Sequence, residues 1–186
     1  MILPTLTIEQ QTRQWLEEVV IGLQLCPFAK APFQKEQIRF LVSQANSEEE
    51  LIEELIEECR HLDEDIKTET TLIICARLLN DFFDFCQFLN WANGTLKSNQ
   101  WQGVYQLANF HPHYIFSGCE YNDLQNLTNR APFPILHLLR EKTLSDMLEK
   151  YPEPELIPKK NIEKMQQLSI DEQRQYFAYL FNDISN

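Results

Sequence analysis

The sequence predicts an α/β or α+β fold, a single-domain sandwich with about four strands in a mixed sheet. Helices pack on that sheet, and a helical tail follows. Two observations carry this reading. Short apolar or alternating runs at 37–43, 70–76, 103–111 and 134–140 are interleaved with segments of helical spacing, and such interleaving places helices against a sheet. At 186 residues the chain suits one domain over 1–186, long enough to bury a sizeable core.

The elements follow in order. Thr7 and Gln10 form a capping box that opens a helix with an apolar stripe at Trp15, Val19, Gly22, Leu23 and Cys26. Pro27 should stop that helix at Cys26. "QIRFLVS" (37–43) reads as a strand, and Ser47 with Glu50 caps a second helix buried through Leu51, Leu55, Cys59 and Leu62. "TTLIICA" (70–76) has the β-branched, continuously apolar character of a strand covered on both faces. "DFFDFCQFLNWANG" is helical, with an expected end near Asn93-Gly94.

In "GVYQLANFH" (103–111), alternation sets Val104, Gln106, Ala108 and Phe110 against Tyr105, Leu107, Asn109 and His111. "PILHLLR" (134–140) is the fourth strand, and Thr143 with Asp146 can cap a helix after it. "PEPELIP" (152–158) reads as a linker to a C-terminal helical segment, 159–184, capped by Ser169 and Glu172. The alternating order suggests parallel neighbours among the first three strands.

Composition narrows function. The net charge is −12, and residues 48–65 hold ten acids against one arginine, so one helix carries −9 of it. That balance argues against a nucleic-acid partner. No run of about 18 apolar residues exists to span a membrane, and "MILPTLTIEQ" lacks the features of a secretory leader. Five cysteines with no C-x-x-C pair point to a reducing cytoplasm. Cys59, Cys75 and Cys86 fall on core faces, as small hydrophobes do.

Chemistry concentrates after the third strand. The 112–133 loop is long for a bland connection, and its aromatics and prolines give it the means to be ordered. His111 and His113 could together offer two metal ligands, with Cys119 or His137 as a third, but no spacing matches a zinc signature. Histidines satisfied by nearby backbone groups are the better reading, and no metal site is assigned. Cys26 lies at the expected helix C-terminus, whose dipole disfavours a thiolate, while Lys30 works the other way. Arg130 and Arg140 offer planar forks for a carboxylate or phosphate, unless Asp123 and Glu141 neutralise them internally. His137 alternates with Ile135 and Leu139 on an apolar face, and gains interest if a neighbouring strand brings Asn109 or His111 beside it.

The segments "VVIGLQLCPFAK" (19–30), "YQLANFHPHYIFSG" (105–118), "NLTNRAPFPILHLLRE" (126–141) and "IPKKNI" (157–162) resemble the DUF1415 family over most of the chain. The resemblance implies a bacterial-type soluble protein and brings no assigned activity, substrate or cofactor. It coincides with Cys26, Pro27, Lys30, His111, Pro112, Asn129, Arg130, Pro132, His137 and Arg140. In the family the resemblance points to, the residue after "HP" is usually acidic, where this chain has His113, and Cys119 is not part of the pattern.

Together these readings predict a pocket for a small anionic ligand between the "LCPFAK" turn and the 109–140 region. Lys30, Arg130 and Arg140 would hold the anion, His111 would act as acid–base group and Asn129 would orient, with Cys26 and His137 lining the site. The alternative is a non-catalytic metal-binding or protein-interaction module. The cofactor is unknown on either reading.

Overall fold

A computed structural model describes residues 6–181. The start of the stretch read for a leader and the end of the 159–184 segment lie outside the described residues. Helix α1 (Ile8–Trp15) opens with the expected Thr7–Gln10 capping box and runs into a π-helical turn, Leu16–Ile21. It ends there rather than at Cys26, because the wider turn closes on Gly22, whose N–H donates to the Glu17 carbonyl at 2.9 Å. A side chain at Gly22 would collide with the Glu18 carbonyl oxygen, so the turn requires glycine. Gln24 then takes a left-handed conformation (φ 53°) and turns the chain away.

A short helix, α2 (Lys30–Gln34), which the sequence reading lacks, precedes β1 (Ile38–Val42). Helix α3 (Glu48–Glu64), β2 (Thr70–Ile74) and α4 (Phe82–Ser98) follow. Helix α4 passes through Gly94 instead of stopping at it. Thr95 and Leu96 beyond the glycine are buried, and that burial outweighs the roughly 1 kcal/mol that glycine costs inside a helix.

Strands β3 (Tyr105–Phe110) and β4 (Ile135–Arg140) complete the sheet. Helix α5 (Glu141–Leu148) starts directly after β4, ahead of the Thr143 start expected for it. Helix α6 (Ile157–Gln167) takes in the end of the supposed linker, and α7 (Ile170–Tyr176) carries the Ser169–Glu172 capping box.

The strand order is β1-β2-β4-β3. β1 and β2 are parallel as expected, but β3 is not their neighbour, since β4 inserts between β2 and β3 antiparallel to both. The reason is burial. β4 supplies Ile135, Leu136 and Leu138, none of them exposed, and belongs in the centre, whereas β3 carries exposed Gln106 and takes an edge.

Helices cover both faces. On one face α3 and α4 pack Leu51, Leu55, Phe85 and Phe88 against Ile73, Tyr105, Leu136 and Leu138. On the other, α1, α6 and the tail bring Trp15, Val19, Met165 and Phe177 onto Leu72, Ile74 and Ile135. No helix among the described residues is long and apolar enough to cross a membrane.

Candidate functional site

The second face is not filled completely. Between the sheet, the end of α1 and α5 lies an apolar chamber of about 190 Å³, walled by Trp15, Phe28, Phe110, Leu139 and Met147 among others. Beside it, between the end of α1, the 116–129 segment and α6, is a more polar cleft of about 610 Å³. Val20, Cys26 and Phe110 line both cavities.

His137 is one of the polar residues lining the chamber, with Glu69, Thr70, Arg140 and Thr143. β4 presents it on the same face as Ile135 and Leu139, and its cross-strand partners are Leu72 and Ala108, not Asn109 or His111. Its ring partner is Thr70, one diagonal step away on β2. The Thr70 hydroxyl donates to the Leu138 carbonyl at 2.6 Å and meets His137 Nε2 at 2.7 Å. Burial pushes the His137 pKa down to about 4, so the ring is neutral at pH 7.

Cys26 starts the tight turn into α2, with the backbone N–H groups of Phe28 and Ala29 directed at its sulfur. Burial raises its pKa more than those N–H groups lower it. The thiol is therefore a poor thiolate at neutral pH. Phe28, in the same turn and on the chamber wall, meets Tyr151 beyond α5 edge-to-face at 5.4 Å.

The outer cleft is lined by hydroxyls and amides, including Ser117, Gln125, Thr128, Asn129 and Asn161. Asn161 Nδ2 donates to the Leu25 carbonyl at 2.7 Å, and Lys164 Nζ to the Leu23 carbonyl, which ties α6 to the end of α1. Asn129 Nδ2 donates to the Asn109 carbonyl at 3.2 Å, and the Asn129 carbonyl accepts from the His111 N–H at 3.1 Å. Gln125 Nε2 donates to the sulfur of Cys119, the second cysteine of this cleft.

The expected anion cradle does not assemble around its arginines. Arg130 is 7% exposed. Its guanidinium donates to the carbonyls of Tyr114 and Tyr121 at 3.4 and 2.6 Å and lies 4.5 Å over the Tyr121 ring. Its own carbonyl accepts from Trp15 Nε1 and the Tyr179 hydroxyl, so Arg130 braces the 112–123 loop against α1 and the tail. Arg140 borders the chamber, but its fork donates to the Leu62, Asp65 and Thr68 carbonyls at the end of α3. Neither uses the expected counter-ion, because backbone carbonyls take that place.

His111 is fully buried between Phe82 and Phe85. Its Nε2 donates to the Leu79 carbonyl at 2.9 Å and its Nδ1 accepts from the His113 N–H at 3.0 Å. Both ring nitrogens are thus engaged, and burial lowers its pKa to about 4. That arrangement suits a structural lock between two loops rather than an acid–base catalyst. Lys30 is exposed on the first turn of α2. Neither cavity is lined by Lys30, His111 or Arg130, so these three do not converge there.

Of the residues expected in a site, Cys26, Asn129, His137 and Arg140 do line the paired cavities. Thr70, Phe28, Gln125 and Asn161 were not singled out by sequence. Asn161 lies within "IPKKNI" and could have been flagged there, whereas Thr70 gives no local signal. Among the described residues no group of three or more His, Cys, Asp and Glu is placed to hold a metal ion.

A family model described as "Protein of unknown function (DUF1415)" matches residues 7–175. No curated protein and no solved structure matches the chain.

Proposed function

The chain belongs to the DUF1415 family, and we propose that it binds a small molecule in an enzyme-like pocket formed by the paired cavities around Cys26. The observation that carries this reading is convergence. The "LCPF" turn, the "FSG" and "TN" pieces of the loop and the "IPKKNI" helix start are far apart in sequence, yet all face the outer cleft. Cys26, Val20 and Phe110 form the wall it shares with the chamber. An apolar lining with a few convergent polar groups is the usual constitution of a ligand site.

We place the ligand beside the "LCPFAK" turn and the 109–140 region, with other residues in the leading parts than the anion reading gives. His137, which lines the chamber, replaces His111 as the histidine we propose to meet the ligand. Asn129 and Gln125 orient the polar part of the ligand. A carboxylate or phosphate is the less favoured ligand, since the Arg130 and Arg140 forks already serve backbone carbonyls. The protein is assigned to a reducing cytoplasm, in keeping with its five free cysteines.

The test fills the chamber. Ala108→Phe, on the chamber wall, should leave the circular dichroism of the fold in place. Small aromatic and heteroaromatic fragments should stabilise the wild type thermally, and the variant should lose that stabilisation. Equal stabilisation of the variant would refute the pocket.

A further inference from the structure

We propose that the inner chamber binds a neutral, single-ring compound carrying one hydrogen-bond donor, a phenol or an azole N–H, and that His137 Nδ1 receives that donor. This rests on the pocket reading above and adds the chemical class of the ligand. The first argument is proton accounting. A threonine hydroxyl has one proton. In Thr70 it goes to the Leu138 carbonyl at 2.6 Å, so at 2.7 Å from His137 the Thr70 oxygen can only accept. The ring proton therefore sits on Nε2, and Nδ1 carries a lone pair. No described residue hydrogen-bonds Nδ1. Because the ring borders the chamber, this acceptor is available to a ligand there.

The second argument is the lining. Trp15, Phe28 and Phe110 supply aromatic surface, with Leu139 and Met147 completing an apolar wall. Arg140 borders the same space, but its Nε and terminal nitrogens are turned to the Leu62, Asp65 and Thr68 carbonyls and the Tyr105 hydroxyl. Glu69 and Thr143 also border the chamber, so an anion would lose its hydration for at most the Thr143 hydroxyl and would face Glu69 and the Nδ1 lone pair rather than a free cation. Size points the same way. A dry cavity of about 150 Å³ accommodates benzene, so about 190 Å³ accommodates a ring with a small substituent.

Toluene, phenol and benzoate share one ring and differ in what they present to His137. Binding of each to the full chain at pH 7 is read by ligand-observed NMR, and the His137 ring nitrogens are followed by ¹⁵N NMR in the wild type. The expected result is that phenol shifts the Nδ1 resonance, toluene binds without doing so, and benzoate does not bind. The phenol-to-toluene affinity ratio should fall about tenfold in His137→Leu, the scale of one hydrogen bond. Equal binding of phenol and toluene with Nδ1 unmoved would overturn the donor inference and leave the pocket reading standing. Benzoate binding as tightly as phenol would overturn it too. If none of the three binds, the pocket reading fails together with the inference.

Discussion

Two buried neutral histidines should make this protein lose stability in mild acid. His111 and His137 ordinarily titrate near 6.5, and burial holds each near 4 in the fold. The unfolded chain takes up these protons first as pH falls, so the stabilising contribution is complete above pH 6.5. It is lost progressively as pH falls from 6.5, and the loss is complete below about 4. At pH 5 the loss is about 2 kcal/mol for each ring, rising to about 3 kcal/mol each at the lower limit. Two such losses approach the entire stability of a small domain, about 5–15 kcal/mol.

Other groups act in the same range. Protonating carboxylates shrinks the net charge of −12 and relieves repulsion. Glu49, Asp65 and Glu172, whose pKa values are lowered chiefly by hydrogen bonds, lose their contributions as pH falls through their own depressed range. The comparison that isolates one ring is therefore wild type against His137→Gln. Urea unfolding at pH 7, 6 and 5 should show the wild type declining by about 2 kcal/mol more than the variant. Equal slopes, or an NMR titration placing His137 near 6.5, would refute the reasoning.

Three substitutions test the frame. Gly22→Ala should cost about 1–3 kcal/mol in urea unfolding, although the same change inside an ordinary helix gains about 1; stabilisation would contradict the collision with the Glu18 carbonyl. Thr71→Val should be neutral or stabilising by about 1 kcal/mol, because the Thr71 hydroxyl is buried without a hydrogen-bond partner. A large loss of stability in that variant would reveal a partner. Arg130→Ala should cost about 2–3 kcal/mol by stripping donors from the Tyr114 and Tyr121 carbonyls. It should also open the 112–123 loop to protease, and a loop still protected would show that Arg130 does not brace it.

What the sequence made legible follows from period and punctuation. The alternation of β3 and β4 separates the two cores correctly, putting Tyr105, Leu136 and Leu138 on one face and Phe110 and His137 on the other. The capping boxes mark the starts of α1 and α7. Stops are harder. Pro27 restricts the chain locally, but α1 gives way to a π-turn and leaves at Gly22. Gly94 looks like a stop only until Thr95 and Leu96 are seen to be buried.

The arginines show a different limit. Their type suits an anion, but a backbone carbonyl leaves no mark in sequence, so the partners of Arg130 and Arg140 were invisible. The Thr70–His137 pair depends on register, which exists only once β4 has inserted beside β2.

That insertion ties ligand chemistry to stability. With β3 beside β2, Thr70 would face a different strand, and His137 would lack the hydroxyl that fixes its proton on Nε2. Packing the ring into an apolar wall then keeps it neutral, and the neutral, Nε2-protonated ring is what offers the chamber an acceptor. Protonating His137 would place a cation in the wall and a donor on Nδ1, and would so reverse the ligand preference proposed for the chamber. On the proposed binding mode, the burial that makes this nitrogen costly to protonate also sets the ligand class it would accept. On that proposal, acid acts on the fold and on ligand binding through the same atom.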